Sequence, residues 1–295
     1  MLYLSSLLQT NPTYKPAANR LFAALYSVGV KYQLIDGTRD IWLRDFMPVQ
    51  IRGGSFVSFR YEPSYLADIP KLKTNYKQDI ASQFSFSVTY SDVNLDGGNV
   101  VFSPSREKAI ISDRILTENP NYTQAELIEI MEQQLKAQVI LIPSLKKKTD
   151  MTGHADGMVR FVDENTVIGN CVPSKNGLEQ RIKSALQKYG IGVIDFPYFS
   201  SSNDSAVGCY LNFLETERHI FLPVFDNAMD DKAIAAAEEI FSKKIVPVNI
   251  NEIAKEGGVL NCISWETKQT EKKQKIKSKR FLLPEDDSMK PELHF

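Results

Sequence analysis

The chain has 295 residues, 43% hydrophobic and 24% charged, the composition of a soluble globular protein that could form two ordinary domains or one large one. A formal net charge of −1 gives no basis for nucleic acid or an anionic membrane as partner. The 3 cysteines, Cys171, Cys209 and Cys262, cannot all pair and lack zinc-ligand spacing, which indicates a reducing compartment and room for one working thiol.

From the start, Met1 to Leu8 is apolar but has no basic lead and no small-residue cleavage site, so no signal peptide is expected. No later stretch is long and uncharged enough to span a bilayer, and a cytoplasmic location is expected. Leu2 to Leu8 predicts a strand, Ala17 to Val28 a helix and Tyr32 to Ile35 a strand. Strands follow around Met47 to Arg52 and Phe56 to Tyr61, then a helix near Ile69 to Phe84 and a strand at Phe86 to Tyr90. The next stretch predicts strands at Asn99 to Phe102 and Ala109 to Ile115, a helix at Thr123 to Ala137 and a buried strand at Gln138 to Pro143. Leu127, Ile130, Met131 and Leu135 share one side of that helix, and Thr123 with Glu126 suits a capping box. The same order recurs as strands Met158 to Val162 and Thr166 to Val172, helix Leu178 to Tyr189 and strand Gly192 to Pro197. It recurs again as strands Cys209 to Leu214 and His219 to Phe225, helix Asp231 to Phe241 and strand Ile245 to Ile250. Val259 to Trp265 supplies a last strand.

This is a repeated strand-strand-helix-strand unit, with a fifth copy assembled from the two chain ends. An open mixed sheet would allow the same order, but a split unit is most simply explained by closure, which also removes exposed edges. The expectation is a closed α/β ring, residues 1–269, as a single domain. Beyond it, residues 270–295 form a basic and then acidic extension, partly ordered and solvated. Its basic run, from Lys268 to Arg280, has no interleaved aromatic residue to favour nucleic acid.

The residues able to carry chemistry head the units, where a ring brings them to its centre. They are Trp42-Leu43-Arg44-Asp45, Asp96-Gly97-Gly98-Asn99, Gly153-His154-Ala155-Asp156-Gly157 and Gly257-Gly258-Val259-Leu260-Asn261-Cys262. If the run after Gly153 is a strand, His154 and Asp156 share a face. Carboxylates, a histidine and a thiol together suit a guanidinium, which is planar, charged and rich in N–H donors. Held between carboxylates, its carbon can be presented to a thiolate. Cys171 and Cys209 read as small core residues within strands, and Arg44 and Arg160 as partners that neutralise or orient carboxylates. Arg52, Arg60 and Arg106 are candidates to read a substrate carboxylate.

Trp-x-Arg-Asp-x-x-Pro, Asp-Gly-Gly-Asn, Gly-His-x-Asp-Gly-x-x-Arg-Phe and Gly-Gly-x-x-x-Cys, in this order and with Tyr210-Leu211-Asn212-Phe213, resemble the agmatine deiminase and bacterial peptidylarginine deiminase family. That resemblance implies a five-bladed α/β propeller, the pentein fold. It implies Cys262 as nucleophile and His154 as general acid and base, with Asp45 and Asp156 gripping the guanidinium and Asn212 nearby. Asp96, where agmatine deiminases carry glutamate, would support His154 or touch substrate, and Trp42 would pack against the site. Asn261 stands where the family usually has histidine, and the chain is shorter than most agmatine deiminases.

The implied reaction is hydrolysis of a small-molecule or peptide guanidine to a ureido product and ammonia, without cofactor or metal. Amidino transfer, methylarginine hydrolysis and a catalytically silent binding scaffold are the alternatives. A homodimer is left open.

Overall fold

A computed structural model describes residues 1–145, 150–171, 177–200 and 205–268. Its strands are short, and those such as Lys-Ala-Ile-Ile-Ser and Gln-Val-Ile-Leu-Ile are rich in β-branched residues and largely buried, as suits a sheet covered on both faces. In chain order they are β1 (Leu2–Ser5), β2 (Tyr32–Ile35), β3 (Val49–Gln50), β4 (Phe56–Arg60), β5 (Val88–Asn94), β6 (Val100–Phe102), β7 (Lys108–Ser112) and β8 (Gln138–Ile142). They continue as β9 (Val159–Phe161), β10 (Thr166–Asn170), β11 (Gly192–Phe196), β12 (Leu214–Glu215), β13 (His219–Val224), β14 (Lys244–Asn249) and β15 (Ser264–Glu266).

These strands make five three-stranded sheets with the orders β3-β4-β5, β6-β7-β8, β9-β10-β11, β12-β13-β14 and β15-β1-β2. In every one the first pair is antiparallel and the second parallel. The last sheet joins both chain ends, with Tyr3 opposite Trp265 on one side and Gln33 on the other. Each sheet touches the next. Gly98 N–H meets Asp45, β6 lies against β9, Arg160 meets Glu215, Asn261 N–H meets the Asn212 carbonyl, and Arg44 N–H meets the Cys262 carbonyl. The ring is therefore closed, as the five-unit reading predicts, and the fold is the pentein propeller.

Helices α1 (Lys15–Ser27), α2 (Gln124–Leu135), α3 (Leu178–Gln187) and α4 (Asp230–Ile240) connect the parallel strands in four units. Helix α1 carries Pro16 in its first turn, where no intrahelical N–H is needed, and buries Ala17, Leu21 and Leu25. Helix α2 starts at the expected capping box, with Thr123 and Glu126 satisfying each other's backbone N–H.

Several local expectations fail for identifiable reasons. The segment 69–84 is not one helix but short turns, including Pro70–Leu72, Tyr76–Ile80 and Ala81–Gln83. Pro70 can only start a turn, and the Asn75 side chain caps the next, which divides the stretch. The strand after it is displaced to Val88–Asn94. Residues 209–213 and 259–263 form turns, leaving only β12 and β15 as strands, and the apolar residues there pack as ring core. Strand β1 stops at Ser5, and Arg114–Glu118 is a helical turn after β7. Cys171 is exposed just past β10, not a core residue, while the expected end of that strand, Val172, lies outside the described residues. The expectations for residues 270–295 fall outside them too.

Candidate active site

Five short inner strands point their N-terminal ends at one place, so the residues just before them converge. The histidine and carboxylate of the third unit do not share a strand face. Ala155–Gly157 is a single tight turn with His154 at its start, and the turn itself sends both groups inward. Asp45 sits in the helical turn Leu43–Phe46, which begins after Trp42. Its Oδ1 accepts the Gly98 N–H at 3.2 Å and lies 3.5 Å from His154 Nδ1.

Gly98 is the floor on which these groups meet. A Cβ placed there would lie 2.6 Å from Asp45 Oδ1, 2.8 Å from His154 Nδ1 and 3.4 Å from Asp156 Oδ2. Only glycine leaves room for the three together. Gly258 has a similar duty on the thiol side. A Cβ there would lie 2.6 Å from the Trp42 ring and 3.0 Å from Cys262 Cβ, so Trp42 packs against the site as expected.

His154 Nε2 lies 2.8 Å from Asp96 Oδ2, which also accepts the Tyr65 hydroxyl at 2.8 Å. Asp96 thus supports the imidazole. A small crevice, lined in part by Tyr65, Asp96, Arg114, Thr152 and His154, opens onto this pair. The Cys262 thiol donates to Asn212 Oδ1 at 3.2 Å, and the same oxygen accepts the Cys262 N–H at 3.2 Å. Asn212 therefore holds the cysteine from both its backbone and its sulfur.

Asn261 occupies a position that sequence alone left unexplained. Its Oδ1 accepts Arg160 Nη1 at 2.9 Å and its Nδ2 donates to Asp156 Oδ2 at 2.6 Å. Arginine only donates and a carboxylate only accepts, so the pair determines which way the amide points. Arg160 is held in turn by Glu215 at 3.3 Å and by the face of Phe213 at 4.5 Å. Arg44 pairs with Glu266. Both arginines thus serve as partners rather than as ligands, as their setting in the sequence suggests. Arg52 pairs with Glu107 at the surface, Arg106 reaches the Gln50 carbonyl, and Arg60 is exposed at the end of β4.

The electrostatics follow from burial. Asp45 and Asp96 are 8% exposed and Asp156 3%, so water solvates none of them well. Burial opposes charge on His154, but Asp45, Asp96 and Asp156 outweigh it and hold the imidazole protonated up to about 10. Burial also raises the Asp45 carboxyl to about 8; His154 lowers it, and the other carboxylates add to the rise. Burial, Asp156 and Asp45 push the Cys262 thiol well above its ordinary value. Cys209 lies in a turn, not a strand. Its Sγ is 3.7 Å from the Gly157 carbonyl, and burial and Asp156 raise it to about 12.

Sequence reasoning missed Tyr65 and Asp40. Asp40 accepts the Trp42 N–H at 2.7 Å, and burial raises it to about 7 despite that bond. Its position shortly before Asp45 was an available signal; Tyr65 lay in a stretch read only as a connection.

The model of the Porphyromonas-type peptidyl-arginine deiminase family matches residues 6–267. The chain belongs to that family. Among curated relatives, a Listeria monocytogenes protein named "Putative agmatine deiminase 2" is 21% identical over 219 residues, 63% of this chain and 58% of its own. A Shewanella protein named "Putative agmatine deiminase" is 25% identical over 221 residues, 63% and 60% of the two chains. The chain thus spans about 60% of the length of the curated relatives it matches. The structure of an agmatine deiminase of Enterococcus faecalis superposes with a TM-score of 0.70 at 16% identity, covering 90% of this chain and 92% of the other.

Proposed function

We propose that the protein is a guanidine deiminase, hydrolysing an agmatine-like or arginine-like guanidinium to a ureido product and ammonia. The observation that carries this reading is the surplus of buried negative charge beside a thiol. Three carboxylates face one imidazolium, and burial resists the imbalance by pushing Asp45 toward protonation. A cationic ligand relieves it, and a guanidinium supplies the planar donors that carboxylates take bidentately. Family membership and relatives named as agmatine deiminases support the same reading.

In this reading Asp45 and Asp156 grip the guanidinium and set its carbon over Cys262. The thiol gives its proton to water as the substrate's positive charge arrives. Sulfur attacks the carbon, His154 protonates the departing nitrogen and ammonia leaves a covalent thiouronium. His154 then takes a proton from water, whose oxygen displaces the sulfur and yields the ureido product. Asp96, itself fixed by the Tyr65 hydroxyl, holds the imidazole, and Asn212 holds the cysteine. Residues 1–269 act as one catalytic domain, in a cytoplasmic protein that needs no cofactor.

The test is a panel of agmatine, arginine, C-terminal arginine peptides and methylarginines, read by ureido product and ammonia. At least one should turn over, and Cys262→Ser should abolish turnover while guanidine binding remains. Haloacetamidine should label Cys262 much faster than iodoacetamide of similar size, with no such preference at Cys171 or Cys209. A folded protein silent across the panel refutes the deiminase and favours a binding scaffold. Turnover only with an added amine makes it a transferase.

A further inference from the structure

The inner strands carry a second group of charges at their other end, away from the thiol. Glu215, at the end of β12, accepts Arg160 at 3.3 Å and Lys243 at 2.7 Å, while Glu266 on β15 takes Arg44. Both carboxylates are thereby committed. Arg106, in the turn after β6, and Lys268, just beyond β15, are left over. Gln50 holds them side by side. Its carbonyl accepts Arg106 Nη1, its Oε1 accepts the Lys268 N–H at 2.8 Å and its Nε2 donates to the Lys268 carbonyl at 2.9 Å. Among the described residues, no carboxylate lies within ion-pair distance of either cation.

Arg106 also bears backbone strain. Its φ is 61°, the left-handed conformation that glycine adopts with least cost. Its guanidinium turns inward over the Phe102 ring, 4.9 Å from the centroid, and is half-buried. Burial and the nearby Arg44 lower it to about 10 against the pull of Glu266, and burial and Arg106 lower the Lys268 ammonium against the pull of Glu215. Glu266 and Glu215 offset these charges only in part, because each already holds Arg44 or Arg160 and Lys243, so this end of the ring keeps a surplus of partly desolvated cations. The hairpin turn, closed by the Arg106 N–H on the Ser103 carbonyl, thus aims one of these surplus cations inward.

We propose that Arg106 and Lys268, with Lys243 behind them, bind a compact oxyanion, a phosphate or carboxylate group, at the end of the ring opposite Cys262. The guanidinium fork and an adjacent ammonium match such a group's oxygens. This site is independent of the deiminase reading. The anion has two sources: a free ion from solution, or the acidic run Glu285-Asp286-Asp287 further along this same chain.

The experiment is thermal unfolding of the full chain in inorganic phosphate, against chloride at equal ionic strength. At ten times the phosphate dissociation constant, Tm should rise by about 3 °C. Arg106→Gly relieves the left-handed conformation and part of the surplus positive charge. It should unfold no lower than wild type without phosphate and lose the phosphate shift; Lys268→Gln should weaken that shift. If the acidic run is the occupant, wild type will not respond. The full chain with Glu285→Gln, Asp286→Asn and Asp287→Asn will then show the shift, and adding Arg106→Gly will remove it. The site is overturned if neither chain responds to phosphate, or if Arg106→Gly keeps the shift. A Tm several degrees lower for Arg106→Gly in chloride also overturns it, because Arg106 would then be a structural bridge.

Discussion

Gly98→Ala is the smallest change that tests the assembly of the site. The added methyl would lie 2.6 Å from Asp45 Oδ1 and 2.8 Å from His154 Nδ1. Those are intrusions of about 0.8 and 0.6 Å into ordinary contact of roughly 3.4 Å, and Asp156 Oδ2 is already at that limit. The neighbours are side-chain ends, so the fold should survive with a loss of about 1–3 kcal/mol, the usual cost of overpacking. The chemistry should suffer more. A displacement near 1 Å costs about 100-fold in a positioned reaction, and here two groups move at once, so kcat/KM should fall by about 1,000-fold or more. Steady-state kinetics on the best guanidine substrate, with thermal unfolding alongside, measures both. Gly192→Ala is the control: its Cβ would meet nothing nearer than the Asn165 carbonyl at 3.9 Å, and activity should not change. A folded Gly98→Ala protein with more than about a tenth of wild-type kcat/KM would refute the argument that the three groups act as one unit.

The pH profile of kcat/KM should rise on the alkaline side, because the thiol is held above its ordinary value, and fall through about 10 as His154 loses its proton. A maximum below pH 7 would contradict both assignments. His154 also links stability to pH: its raised value makes its contribution complete below about 6.5, the unfolded value, and lost as pH rises through about 10. Denaturant titrations across that range should show wild type losing stability where His154→Gln does not. Asn261→Ala removes a charge-assisted hydrogen bond worth about 1.5–3 kcal/mol, so an unreactive guanidinium should bind the Cys262→Ser protein about 10- to 100-fold more weakly. Arg160→Met should add little once Asn261 is gone, and additive losses would break the proposed chain from Arg160 to Asp156. Thr123→Ala should lower stability by about 1 kcal/mol and leave turnover unchanged. Metal chelation should leave turnover unchanged, since the substrate supplies the positive charge; loss restored by one metal would sink the carboxylate clamp.

What the sequence by itself made legible is the repeated unit and most of the residues that meet at the centre of the ring, Tyr65 and Asp40 excepted. Repeated apolar strands and the helix patterns at 123–137, 178–189 and 231–241 are local signals, because alternation and capping depend on neighbouring residues. The split fifth unit favours closure over an open sheet, and the pairing of Leu2–Ser5 with Ser264–Glu266 bears that out. What only the tertiary structure decided is how each group faces its neighbours. His154 and Asp156 converge through a turn and not a strand face, because the backbone must bend to enter the crowded centre. Asn261 looks like a lost ionisable group in the sequence. In the fold its amide joins Arg160 to Asp156, residues from a different sheet. Arg106 reads as a substrate contact until the hairpin after β6 carries it to the other end of the ring. Hydrogen bonds and unpaired charges between residues a hundred positions apart leave no periodic trace along a chain. They are set by three-dimensional distance alone.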